Sequence, residues 1–232
     1  MPSTTGVDAL ATSAVEAVRS GMTVGLGTGR AAKRAIEALA RRAAAERLDI
    51  QCVATSRESE ELGRRLGLRV EAMEGVEAID YLFDGADEVD PAMRMMKGRG
   101  GAMTREKVVA HSAARRVYLV QTKKLVKRLG EDAPLPVEIM RFGLASTRRA
   151  LRQLGLDGPL RSKAGGGEYE TDNGNPVVDA PLPIGLDPAT LAAALDETPG
   201  VIGHGLFLNE ADEVLVEDEQ GRVTRQVRTP GK

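Results

Sequence analysis

Twice in the first 70 residues a short apolar run gives way to small or hydroxyl residues and then to a segment with helical periodicity, and this alternation is what most constrains the fold. Residues 23–26, TVGL, read as a strand that passes through Gly27-Thr28-Gly29 into a helical segment over about 30–47. Residues 50–54, IQCVA, read as a second strand, leading through Thr55-Ser56 into a helix that carries Leu62 and Leu66 on one face and stops at Gly67. Further strand candidates follow at 69–71, 79–83 and 117–120. Strands and helices in alternation favour a mostly parallel α/β sheet, whose loops gather at the strand C-terminal ends. The residues just after each strand are therefore the first places to look for chemistry.

Local chemistry marks the element ends. Val7, Leu10, Ala11, Ala14, Val15 and Val18 follow helical spacing, with Gly21 as a stop. Thr55 suits the N-cap of the helix after strand 50–54, Glu58 takes the capping-box position, and Ser56 is a second polar group at that entrance. Gly27-Thr28-Gly29 ahead of a helix can turn backbone N–H groups toward an anion, with the Thr28 hydroxyl beside them. The same residues also suit a plain structural turn, because Ala32 stands where the third glycine of a dinucleotide motif would fall.

The densest chemistry lies in residues 80–107, DYLFDGADEVDPAMRMMKGRGGAMTREK. The apolar run ending at Phe83 reads as a buried strand, and Gly85 lets the chain turn between Asp84 and Asp87. Lys97 begins Lys97-Gly98-Arg99-Gly100-Gly101, where the glycines permit close ligand approach beside a positive charge. Glu106 follows at the start of a helix predicted to run to about residue 115, where the positive helix end favours a carboxylate. Carboxylates and a lysine at element ends suit acid–base chemistry; a loop of solvated acids followed by a glycine turn has the same composition. Lys123 and Lys124 add a positive cluster after strand 117–120. His111 and His204 have no evident nucleophile partner and read as structural, and Cys52 reads as a packed strand residue.

Composition narrows the function classes. A chain of 232 residues, 42% hydrophobic, can bury one large core or two small ones. A formal net charge of -2 and 3% aromatic content argue against a basic nucleic-acid surface or a base-stacking platform. Two histidines and one cysteine are a poor set for a transition metal, so no metal and no cofactor is inferred. The N-terminus has no basic region followed by a long apolar core, and no apolar run approaches a membrane span, so a cytoplasmic protein without a membrane partner is expected.

The acidic, proline-bearing stretch 129–136 suggests a boundary, so residues 1–130 are expected to form the main α/β domain. In 131–207 the pattern predicts a strand at 137–140, a helix at 146–154 ended by Gly155, and a short return strand at 159–163. Residues 167–171 and 176–179 read as a hairpin around Asp172-Asn173-Gly174-Asn175. Asp187 and Pro188 open a helix carrying Leu191 and Leu195, and 201–208 is strand-like. Together these predict a small βαββαβ domain. The remainder, 208–232, holds strands at 212–217 and 222–228 that return to the first sheet.

In order along the chain, VGLGTG, ATSRESEELGRRLGL, DGADEVD, KGRGGAMTREK, LPVEI, TDNGN and GLF resemble the ribose-5-phosphate isomerase A family across nearly the whole sequence, DGAD with KGxGGAxxREK being the most specific part. The resemblance implies a three-layer, Rossmann-like α/β domain with a smaller ferredoxin-like α+β domain, assembled as a homodimer or homotetramer. It implies interconversion of ribose 5-phosphate and ribulose 5-phosphate through a cis-enediolate, in the non-oxidative pentose phosphate pathway and without a redox cofactor. On that footing Glu106 is the base, Asp84 and Lys97 assist ring opening, and Asp87 positions hydroxyls or takes part in proton transfer. Substrate contacts are then expected from Gly27, Thr28, Gly29, Arg30, Thr55, Ser56, Gly98, Gly100, Gly101 and Lys123.

Four departures from the family pattern bear on substrate placement. Arg30-Ala31 replaces a common Ser-Thr pair after GTG, and Asp8 aligns with a lysine of the first helix. Val120-Gln121-Thr122-Lys123 stands for Asp-x-Ser/Thr-Lys, and Arg99 replaces a glycine. Two other functions remain open on the residues: a non-catalytic sugar-phosphate-binding regulatory protein, and a transferase of the coenzyme-A type using a glutamate nucleophile.

Overall fold

The computed structural model describes residues 8–229, so Val7 lies outside the described residues. The first elements in chain order are α1 (Ala9–Val15), β1 (Thr23–Leu26), α2 (Arg30–Glu46), β2 (Gln51–Ala54), α3 (Arg57–Arg65), β3 (Val70–Glu71) and β4 (Ile79–Gly85). Next come β5 (Glu88–Val89), β6 (Met95–Met96), α4 (Met103–Ser112), β7 (Ala113–Gln121), β8 (Leu135–Ile139) and α5 (Leu144–Gln153). The last are β9 (Val177–Ala180), α6 (Pro188–Asp196), β10 (Val201–His204), β11 (Leu206–Phe207), β12 (Glu213–Glu217) and β13 (Val223–Val227). Packing divides the described chain into one unit of residues 8–85, 108–123 and 211–229, and a second of 86–107 and 124–210. Among the described residues no helix is long and apolar enough to cross a membrane.

The first unit is built on a seven-stranded sheet in the order β13-β12-β7-β4-β1-β2-β3. Every neighbouring pair is parallel except the β12–β13 hairpin. Helices in the connections bury apolar faces on it: Leu10 and Val15 of α1 and Ile36 and Leu39 of α2 share one core with Leu26, Phe83, Val117, Leu119 and Leu215. Each such side chain removed from water contributes roughly 1.5–3 kcal/mol. Tyr81 enters the same core because its hydroxyl donates to the Ala14 carbonyl at 2.7 Å, and burial pushes its pKa up to about 12. Cys52 is fully buried in β2, as a packed strand residue should be, and burial pushes its thiol up to about 12. Register sets the site: Leu26 of β1 pairs with Phe83 of β4, so β1 ends level with the strand that delivers Asp84.

The second unit contains an antiparallel sheet β10-β8-β9 and a short one, β11-β6-β5. Leu151 of α5 and Leu191 and Leu195 of α6 pack with Val137, Ile139 and Val178. Asp187 caps α6 by accepting from Thr190 N at 2.9 Å with Pro188 at the first helical position, as the sequence predicts. The strand expected over 201–208 is divided at Gly205, whose N–H donates to Pro136 O and whose carbonyl accepts from Lys97 N, both at 2.9 Å. A side chain there would collide with the Lys97 carbonyl and the Pro136 ring.

Three local expectations are corrected. Residues 167–179 do not form a hairpin: β9 pairs with β8, and Glu168 makes only an isolated bridge to Ser162. The 159–163 segment contributes only isolated bridges at Leu160 and Ser162. The helix after Glu106 ends at Ser112, not near residue 115, because β7 begins at Ala113 to pair with Ile79 of β4.

Candidate active site

In the first unit, Gly27 follows β1 and donates its N–H to Phe83 O at 2.9 Å, which lays the glycine turn against the end of β4. A Cβ on Gly27 would overlap the Asp84 carboxylate and backbone, so glycine is required there for space. At Gly29 the requirement is conformational: φ is 94°, and the residue stands at the N-cap of α2 without a capping side chain. Asp84 is fully buried, and its Oδ1 accepts from Thr28 N at 2.8 Å and from Gly85 N at 2.7 Å. The glycine loop thus gives one N–H to the carboxylate, while the first N–H groups of α2 point out of the helix end without intrahelical acceptors.

A chain of hydroxyls lines the same loop. Thr28 Oγ1 lies 2.7 Å from Thr55 Oγ1 and 2.8 Å from Ser56 Oγ, and Ser59 Oγ donates to Gly27 O at 2.6 Å. The N-cap of α3 is Ser56, which accepts from Ser59 N at 3.2 Å, not Thr55. Thr55 instead turns inward, within 3.2 Å of Leu26 O, and Glu58 pairs with Lys33 instead of closing a capping box. Arg30 is exposed at the first position of α2, and Lys123 is exposed in the one-turn helix Thr122–Lys124. Asp8 caps α1 and binds Arg34 at 2.6 Å, and Arg34 also binds Glu217 at 2.5 Å. Burial alone would raise the Asp8 carboxyl, but Arg34 and the Ala11 N–H bring it below its ordinary value.

In the second unit Lys97 and Glu106 meet. Lys97 directly follows β6, Glu106 sits in the first turn of α4, and Lys97 Nζ is 3.2 Å from Glu106 Oε1 with side-chain exposures of 2% and 6%. A buried pair of this kind costs desolvation that only good geometry offsets, so it marks a place where charge has a use. The Phe207 ring lies beneath the lysine, 5.5 Å from Nζ. Asp87 Oδ2 accepts from Arg99 N at 2.9 Å, and its Oδ1 is 4.0 Å from Lys124 Nζ, so the neighbour of Lys123 is the lysine that reaches an expected site acid.

The Lys97–Gly101 loop is fixed by side chains the sequence reading missed. Arg161 Nη1 donates to the carbonyls of Gly98 at 2.9 Å and Arg99 at 3.1 Å, while Asp179 holds the same guanidinium. Tyr169 OH donates to Gly100 O at 2.9 Å and occupies the space a Gly101 side chain would need. Gly98 (φ 101°) is closed in by Pro136 and Met103. Tyr169 had one sequence signal, the scarcity of aromatics, and Phe207 stood besides in the GLF motif; Arg161 had none. His111 is exposed. His204 is buried between Leu206 N, 3.2 Å from Nδ1, and Asp196 Oδ1, 3.1 Å from Nε2, a packing role in a hydrogen-bonded neutral ring.

The sequence model of the family described as ribose 5-phosphate isomerase A (phosphoriboisomerase A) matches residues 51–221. The chain is 44% identical over 211 residues to ribose-5-phosphate isomerase A of Roseiflexus sp. (strain RS-1), spanning 90% of this chain and 91% of the relative. It superposes with a TM-score of 0.89 on ribose 5-phosphate isomerase A from Methanocaldococcus jannaschii, at 35% identity over 95% of this chain and 97% of that one. A D-ribose-5-phosphate isomerase solved in complex with phospho-erythronic acid gives a TM-score of 0.90 at 33% identity, again over 95% and 97%. Family motif, length and three-dimensional path agree, and the chain belongs to the ribose 5-phosphate isomerase A family.

Proposed function

We propose that this chain interconverts D-ribose 5-phosphate and D-ribulose 5-phosphate, with Glu106 as the base that moves the proton. The observation that carries the assignment of Glu106 is its buried carboxylate 3.2 Å from the Lys97 ammonium. In the open-chain aldose the C2–H bond breaks to Glu106, giving a cis-enediolate. A C1–H bond then forms as the proton returns, and O1 gains the proton that O2 gives up. Lys97 opposes the negative charge that develops on the enediolate oxygen, where a fixed charge in a water-poor site has its largest effect. Asp84 and Lys97 are assigned to ring opening and Asp87 to the sugar hydroxyls. The glycines of the Lys97–Gly101 loop allow the sugar to approach the backbone.

The phosphate is assigned to Gly27, Thr28, Gly29 and the start of α2, with Thr55, Ser56, Arg30 and Lys123 as further contacts. A helix N-terminus and a row of hydroxyls suit a phosphate dianion, which supports this part of the reading. A related isomerase is solved in complex with phospho-erythronic acid, which supports a phosphorylated ligand for this chain.

The test is NMR of ribose 5-phosphate in deuterium oxide. Ribulose 5-phosphate should form without added nicotinamide, with solvent deuterium entering the exchangeable carbon. Glu106→Gln should lower turnover by about 10²- to 10⁴-fold while remaining folded. Wild-type protein that converts neither sugar would end the assignment. A homo-oligomer is part of the proposal, supported by the exposed Phe142 (87%) and Ile184 (83%) of the second unit. Light scattering that returned a monomer mass at micromolar concentration would remove that part alone.

A further inference from the structure

Glu138 is an acid in the middle of the apolar strand β8 and is fully buried. Removing a carboxylate from water costs several kcal/mol unless donors replace the lost hydration. Four side chains of the second unit do so. Thr171 Oγ1 at 2.8 Å, Asn175 Nδ2 at 2.9 Å and Asn173 Nδ2 at 3.1 Å donate to Oε1, and Thr104 Oγ1 donates to Oε2. The first three belong to one turn, closed by Thr171 N to Asn175 O and Gly174 N to Thr171 O, both 2.9 Å. The fourth lies on α4, two positions before Glu106.

The same turn also takes the intervening residue. Arg105 Nε donates to Asn173 Oδ1 at 2.8 Å and its Nη2 to Asp172 O at 3.1 Å. Thr104 is confined from the other side, because a Cβ on Gly203 of β10 would collide with its hydroxyl. The two residues immediately before Glu106 are thus gripped by a strand carboxylate and by the turn that this carboxylate organises. A scaffold contact would be met by apolar packing at lower desolvation cost; a charged anchor fixes direction as well as contact.

We propose that Glu138 is a positioning residue for Glu106: through Thr104 and the 171–175 turn it fixes the rotation of the first turn of α4, and so the direction of the Glu106 carboxylate. This rests on the reading of Glu106 as the base. Proton transfer is sensitive to such aim, since a misplacement of about 1 Å costs on the order of 10²-fold.

The experiment compares Thr104→Val, Thr104→Ser, Asn173→Ala and Glu138→Gln in full-length protein. Thr104→Val and Asn173→Ala should lower kcat by about tenfold or more with KM within about twofold, and displace the pH–rate profile. Thr104→Ser, which restores the hydroxyl, should return both toward wild type. Glu138→Gln places a donor among donors and should lose more; if it fails to fold, the other variants still decide. Unchanged kcat and pH profile in Thr104→Val and Asn173→Ala, with only the melting temperature lowered, would overturn the proposal. Should wild-type protein leave ribose 5-phosphate untouched, the isomerase reading falls by itself. The ¹³C shift of the Glu106 carboxyl then decides: movement in Thr104→Val and Asn173→Ala but not in Thr104→Ser supports positioning, and no movement in any variant ends it.

Discussion

Gly27 and Asp84 show how much a single atom decides at the end of β1. The Asp84 carboxylate is aimed by the Thr28 and Gly85 N–H groups, and the absent Gly27 side chain is what lets the loop lie against it. Gly27→Ala is therefore expected to lose about 1–3 kcal/mol, the usual cost of overpacking a fitted site, because the neighbouring atoms include Asp84 backbone that cannot swing away. Urea titration of the variant measures this, and a loss under about 0.3 kcal/mol would mean the loop relaxes freely. The need for glycine at 27 was legible only as part of a motif; its reason, space, depends on a residue in another strand. Lys97 and Glu106 were legible because both sit at element ends among glycines. Glu138 was not, since one acid in LPVEI gives no sign of donors lying in TDNGN.

Element ends were read correctly where one residue's chemistry suffices, as at Asp187-Pro188, and misread where two neighbours compete. Thr55 and Ser56 can both cap; the parallel pairing of β2 with β1 ends at Ala54, draws Thr55 into the hydroxyl chain, and leaves the cap to Ser56. Ser56→Ala should accordingly lower stability by about 1 kcal/mol, the usual worth of an N-cap, in a calorimetric melt. The false hairpin has a different origin: Asp172-Asn173-Gly174-Asn175 does form a turn, but turn chemistry cannot name the partner of a strand, and β9 pairs with β8 instead. His204, on β10, ties α6 to α4 through Asp196 and Lys107, whose Nζ is 3.3 Å from its ring. Burial and then the Lys107 charge push its pKa down from 6.5 to about 4. Below pH 6.5 the unfolded chain binds a proton that the folded chain refuses until about pH 4, so this residue makes stability fall as the pH drops through that window. Urea midpoints at pH 7.5 and 5.0 should separate in wild type by more than in His204→Gln; equal separations would contradict the burial argument.

For the whole molecule the chain path matters more than any boundary residue. It passes from one packed unit to the other after 85, 107, 123 and 210, so neither unit is a continuous segment. The proline-bearing stretch near 130 is a local signal of a junction, whereas the pairing of Met96 with Leu206 across the sequence has no local signature at all. That pairing predicts what can fold alone. A fragment of 131–207 would keep β8, β9, β10, α5 and α6 but strip β11 of its partner strand β6. It would also take Met96 out of the core and Thr104 away from the buried Glu138 carboxylate. A buried carboxylate that keeps the Thr171, Asn173 and Asn175 donors but loses Thr104 is costlier to hold, and a small core has little stability to spare. The fragment should therefore give collapsed amide NMR spectra and a broad, non-cooperative urea profile. Supplying residues 86–107 through a linker should sharpen both, because it restores β5, β6 and Thr104 together. A dispersed spectrum from 131–207 by itself would show instead that β8, β9 and β10 with their two helices carry enough burial to stand without the short sheet.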